Sequence, residues 1–133
     1  MTKPNKYHAV KTKLDGITFH SKGEAGRYEE LKLLEKSGRI THLKLQRAFP
    51  LFAGKNKYRQ EIGSYIADFE YWDFDAEAWV AEEYKGFRTA LYKWKVKHFK
   101  AEYPQYLFRE TSARRTSGEW VKRGRGWTSI KTS

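Results

Sequence analysis

Asp68, Glu83 and Lys85 are the residues of this 133-residue chain whose types and spacing can do chemistry together. They fall in Tyr65-Ile66-Ala67-Asp68-Phe69-Glu70-Tyr71 and Trp79-Val80-Ala81-Glu82-Glu83-Tyr84-Lys85, which read as two strands of a hairpin joined by an acidic turn around Asp73 and Asp75. Strand side chains alternate faces, so Glu83 and Lys85 project the same way and Asp68 can join them from the neighbouring strand. Two carboxylates offer hard oxygen ligands to a divalent cation, and an amine offers a fixed positive charge beside a phosphate. That is the minimal equipment for metal-assisted phosphodiester cleavage. The Glu-x-Lys spacing alone discriminates little, since Glu30-Leu31-Lys32 has it too. On a helix, however, residues two apart point about 200° from each other and cannot converge. The competing reading of the strand copy is a cross-strand charge pair on a solvated face, worth under about 1 kcal/mol.

The elements that must position these residues are written in the flanking sequence. Ser21 and Glu24 fit a capping box that opens a helix, and Gly38 stands where its left-handed C-terminal residue is wanted. Glu24, Tyr28 and Leu31 recur at i, i+4 and i+7, which puts a carboxylate on the face the helix should bury. There it needs hydrogen bonds or a cation. As a cap, Glu24 would reach back to the Ser21 amide; as an acid packed on the hairpin, it would join Asp68 and Glu83. Before that helix, Asp15-Gly16 marks a tight turn in a short hairpin preceded by a basic arm. After it, Ile40 to Gln46 and Phe49 to Phe52 read as strands broken near Pro50, with Gln46 a strand polar residue that could also orient water or phosphate.

Thr89 can cap a second helix running to about Tyr103, whose Tyr92, Val96, Phe99 and Tyr103 form an apolar stripe while Lys93, Lys97 and Lys100 gather on another face. Pro104 ends it, and Tyr106 to Glu110 reads as a further strand. The order helix, antiparallel strands, helix, strand predicts a single α/β domain with a mixed central sheet flanked by helices.

Composition sets the partner class. There are 27 basic and 16 acidic residues, a formal net charge of +11, which favours a polyanion such as nucleic acid. Lys93, Lys97, Lys100 and Arg88 are the expected backbone contacts beside the hairpin. From residue 111 to 133 the apolar periodicity gives way to a basic tail. Arg114, Arg115, Lys122, Arg123, Arg125 and Lys131 stand there against Glu119 alone. Trp120 and Trp127 are interleaved with them, so the tail is read either as a flexible strand-tracking segment or as one whose indoles pack back on the domain. With no cysteine, any metal site is built from carboxylates, carbonyls or the four histidines. No apolar run approaches the roughly 20 residues that span a bilayer and the N-terminus lacks a secretory pattern, so an intracellular protein is expected.

Ser21-Lys22-Gly23-Glu24-Ala25 opening a helix, then Leu45-Gln46, Tyr65-Ile66-Ala67-Asp68-Phe69 and Glu82-Glu83-Tyr84-Lys85-Gly86, resembles the PD-(D/E)XK nuclease superfamily. The closer likeness is to its small phage-encoded members related to archaeal-type Holliday junction resolvases, over roughly residues 6 to 110, with Ala67 where that group's name places proline. The resemblance implies a restriction-endonuclease-like core in a nuclease domain of residues 1–110, Asp68 and Glu83 as ligands of Mg²⁺ (with Mn²⁺ able to substitute), and the Tyr84 carbonyl as a further ligand. It also implies Lys85 as the catalytic lysine, Glu24 as a helix-borne acid that ligates or orients a ligand water, and Gln46 as a helper. Strand parity assigns the site to Glu83 over Glu82. The implied activity is structure-selective cleavage of branched double-stranded DNA, a four-way junction, by a homodimer in the host cytoplasm. The alternatives are a nicking or recombination nuclease of other selectivity and a non-catalytic DNA- or RNA-binding module.

Overall fold

The structure is a computed structural model that describes residues 11–84, 88–112, 118–123 and 126–131. It opens with β1 (Thr12–Leu14) and β2 (Ile17–Phe19), an antiparallel hairpin turned by Asp15 and Gly16, both with positive φ, as Asp-Gly predicts. Helix α1 (Lys22–Lys36) starts where Ser21 Oγ accepts from the Glu24 amide. It stops in a Schellman arrangement, with Gly38 at φ +82 and its amide on the Glu35 carbonyl, and Arg39 donating to Leu34.

The strands β3 (Ile40–Ala53), β4 (Gln60–Asp73), β5 (Ala78–Tyr84) and β6 (Leu107–Thr111) form one sheet in that order. The first three are antiparallel and β6 is parallel to β5, reached through helix α2 (Ala90–Glu102), which Thr89 caps by accepting from the Tyr92 amide. This is the mixed α/β domain expected. Among the described residues no helix is long and apolar enough to cross a membrane.

Two core clusters hold the layers together. Phe19, Ala25, Tyr28, Leu31, Ile40, Phe69, Tyr71 and Val80 pack under α1, and Phe49, Leu51, Tyr65, Ala67, Ala81, Val96, Phe99 and Phe108 pack under α2. Burying a side chain such as Leu31 or Phe99 stabilises by about 1.5–3 kcal/mol. Along β5, Val80 serves the first cluster and Ala81 the second, as strand alternation demands.

One expectation needs correction. The break at Pro50 does not occur: β3 runs through it, because β3 is a sheet edge where a missing amide is tolerated, and the Pro50 carbonyl accepts from Tyr103 Oη at 2.7 Å. Register with β4 shifts between Thr41 and Lys44 and between Leu51 and Phe52, and His42 (φ 57) and Gln46 (φ 52) take left-handed values that a non-glycine residue adopts at a cost. Strict alternation is lost around Gln46: Leu45 and its partner Phe69 pack under α1, whereas Phe49 and its partner Tyr65 pack under α2. Within the range read as a basic tail, β7 (Gly118–Arg123) and β8 (Gly126–Lys131) pair antiparallel.

Candidate active site

The β4 and β5 strands meet at Asp68. Its Oδ2 accepts from the Tyr84 amide at 2.8 Å, and its Oδ1 accepts from Gln46 Nε2 at 3.3 Å. The acid is thus fixed across three strands, and the left-handed Gln46 stands beside the residue it orients. Gln46 therefore serves as more than a routine strand polar residue.

Glu83 is 7% exposed and accepts from Tyr65 Oη at 3.0 Å. Its charge and that of Asp68 both act on the Tyr65 hydroxyl, which burial above all, and then Glu83, hold well above the ordinary phenol range. Burial and then Glu83 raise Tyr92 likewise, with Asp68 adding to the effect.

Glu24 comes within electrostatic reach of Asp68 from the α1 side. It is 5% exposed, and burial followed by the charge of Asp68 pushes its carboxyl up to about 7. Its carboxylate lies 3.7 Å from His20 Nδ1, not on the Ser21 amide as the capping-box reading expects. What brings α1 so close is Gly23: a Cβ there would fall 2.0 Å from the Tyr84 hydroxyl, so only glycine lets the first turn sit against that ring. Asp68 is therefore the hinge of the group, acting electrostatically on Glu24 to one side and on Tyr65, the partner of Glu83, to the other.

Glu82 takes no part in this patch. It is fully buried and accepts from Arg27 Nε at 2.6 Å and Nη2 at 2.9 Å, from Tyr71 Oη at 2.5 Å and from Thr111 Oγ1 at 3.3 Å. Glu82 and Glu83 thus lie on opposite faces of β5, as strand alternation requires. The helical Glu30 and Lys32 diverge as expected, Glu30 to Arg27 and Lys32 to Glu35.

Lys85 lies outside the described residues, as do Arg114, Arg115 and Arg125. For Lys122 and Arg123 only the backbone, on β7, is described. Arg88, half exposed, pairs with Glu110, the residue that parallel register sets beside Glu83. Arg88, Lys93, Lys97 and Lys100 line one cleft of about 240 Å³ between α2 and β6, floored by Val96 and Phe108 and walled by Tyr92 and Glu110. Lys100 lies over the Phe108 ring, 5.0 Å from its centroid. His98, on the same helix, is tied to the Phe52 carbonyl at 2.9 Å.

Residues 4–117 match the family described as "Protein of unknown function (DUF1064)". The chain belongs to that family. No curated protein and no solved structure matches it. The DUF1064 match takes in all four strands of the main sheet and both helices, and stops short of the β7–β8 hairpin.

Does the donor set of this DUF1064 chain suit a divalent cation? Among the described residues no three His, Cys, Asp or Glu side chains stand close enough to hold a metal by protein ligands alone. Asp68 and Glu83 are hard oxygen donors on adjacent strands, and Glu24, its carboxyl raised by burial and then by the charge of Asp68, is a third acid within electrostatic reach of Asp68. Such a set fits an ion that keeps much of its water shell, as Mg²⁺ does, better than one needing a closed protein cage.

The sequence reading missed Gly23, Tyr65, Tyr92 and Glu110. A glycine in a helix's first turn is a readable cue to close approach. The two tyrosines looked like core aromatics, and only their hydroxyl partners show otherwise.

Proposed function

We propose that this chain is a divalent-metal-dependent DNA endonuclease of the PD-(D/E)XK type, acting on branched DNA. The observation that carries the reading is Asp68, held by the Tyr84 amide and Gln46, whose charge acts on Glu24 of the helix and, together with that of Glu83, on Tyr65, on a protein of net charge +11. Asp68 and Glu83 would hold Mg²⁺ or Mn²⁺, with Glu24 and the Tyr84 carbonyl completing the shell together with water. A bound cation supplies Lewis acidity toward the scissile phosphate and a more acidic water.

The protein's own groups do the rest. Gln46 and the Tyr84 amide hold the Asp68 carboxylate in place. Lys85 provides the compact cation that stabilises charge developing on the phosphate. The cleft of Lys93, Lys97 and Lys100 beside the acids gives the strand a positive wall to lie against. A two-fold dimer would supply the paired cuts on opposed strands that junction resolution requires.

A non-catalytic nucleic-acid-binding module is the second reading, favoured by the want of a three-acid cluster among the described residues. One experiment separates them. The protein is incubated with a four-way junction, a nicked duplex and a linear duplex, in Mg²⁺ or EDTA, and cuts are mapped beside Asp68→Asn. We expect symmetrical paired cuts in the junction that need Mg²⁺ and vanish in the variant, which still binds. Cutting that survives Asp68→Asn unchanged sinks the site, equal cutting of all three substrates rejects junction selectivity, and binding without any cutting supports the module.

A further inference from the structure

Beneath α2, two buried tyrosines face the acids of the sheet. Tyr65, 3% exposed, donates from Oη to Glu83 Oε2 at 3.0 Å. Its ring is wedged among aromatics, with centroids 5.1 Å from Phe99 and 6.3 Å from Phe108, so the core fixes where that hydroxyl points. Tyr92 donates to Glu110 Oε2 at 2.5 Å, and Arg88 pairs with the other oxygen of the same carboxylate. Parallel register sets Glu110 beside Glu83, yet Glu110 is drawn to partners of its own on α2 and at its entry. The two neighbouring glutamates are therefore held by separate tyrosines.

A carboxylate can accept several hydrogen bonds, so a bond from Tyr65 at Oε2 is compatible with a role as a metal ligand. It also removes most of the rotational freedom of the head group, the way outer hydrogen bonds orient metal-binding carboxylates. We infer that Tyr65 is a positioning residue, whose hydroxyl fixes the orientation in which the Glu83 carboxylate serves a divalent cation shared with Asp68. This rests on the metal-site reading above. Core packing alone does not account for a tyrosine here, since phenylalanine would fill the same space beside Phe99 and Phe108 without bringing a hydroxyl to a buried acid.

The test is a Mn²⁺ titration of the full chain without DNA, followed by electron paramagnetic resonance, on wild type, Tyr65→Phe, Tyr106→Phe and Asp68→Asn. Tyr106 is the control, since its Oη donates to Glu70 at 2.6 Å elsewhere on the sheet. Thermal midpoints taken alongside report the fold. Tyr65→Phe is expected to weaken Mn²⁺ binding about 10- to 100-fold with the fold retained, while Tyr106→Phe binds as wild type and Asp68→Asn does not bind. Equal affinity of Tyr65→Phe and wild type overturns the positioning role alone, as does a matching loss in Tyr106→Phe. A wild type that fails to bind Mn²⁺, or an Asp68→Asn that binds it normally, overturns the metal site and this role with it.

Discussion

Glu82 and Glu83 are consecutive on β5, both buried, and in opposite situations. On the α1 face, Glu82 meets a bidentate guanidinium, a phenol and a threonine hydroxyl, so its charge is neutralised on the spot. On the α2 face, Glu83 takes a hydrogen bond from a neutral phenol and shares its surroundings with the charge of Asp68. A buried carboxylate closed by its own cation contributes order to the fold. On the proposed reading, one that meets a neutral phenol and the charge of a second acid is the one that takes a cation from outside.

The sharpest way to break this comparison is to remove charge from each side in turn. Glu83→Gln should lower cleavage by at least about 10³-fold, about 4 kcal/mol in transition-state stabilisation, with little change in the urea midpoint. Arg27→Met should do the reverse. It leaves Glu82 buried without its cation, a change that costs about 3–5 kcal/mol of stability, while cutting per folded molecule stays near wild type. A Glu83→Gln protein as unstable as Arg27→Met would show that both glutamates are structural.

Much of this contrast could be read from the chain before any fold was known. The caps at Ser21 and Thr89, the buried stripe that carries Glu24, and the opposite parity of Glu82 and Glu83 follow from period and local hydrogen bonding, which are properties of short segments. What escaped reading depends on long-range partners. Nothing near Gln46 announces a left-handed residue within a strand; its value is imposed where β3 crosses from one core cluster to the other. Pro50 suggested a break because the edge position that tolerates it is a tertiary fact. The hydroxyls of Tyr65 and Tyr92 were hidden for a similar reason, since an aromatic in an apolar stripe looks the same whether or not its oxygen has work to do.

A smaller effect separates Glu24 from Glu82 by pH. A free carboxyl titrates near 4.5, whereas buried Glu24 beside Asp68 is pushed up to about 7. Between those values the folded state holds more of the proton than the unfolded chain. Stability from this group is therefore complete below pH 4.5 and is lost as pH rises through 7, by about 3 kcal/mol at most. In EDTA, the urea midpoint of wild type should fall from pH 5 to 8 relative to Glu24→Gln, and Mg²⁺ should restore part of it at pH 8 by favouring the ionised form. Parallel curves for the two proteins would mean that Glu24 is not strained by its neighbours.

The cations divide as the glutamates do, and here the expected effect is smallest. Arg27 is only partly exposed in its pair with Glu82, whereas Lys93 and Lys97 are exposed along the α2 cleft. Each phosphate contact made by such a lysine releases about one counterion, so it contributes about one to the slope of log affinity against log salt. Lys93→Ala combined with Lys97→Ala should therefore flatten that slope by about two for junction DNA bound in EDTA, where no cutting intrudes. Lys32→Ala, on α1 and paired with Glu35, should leave it unchanged. Were both proteins to lose the same slope, the charge of +11 would be acting as a diffuse cloud, and the cleft would have no special claim on the strand.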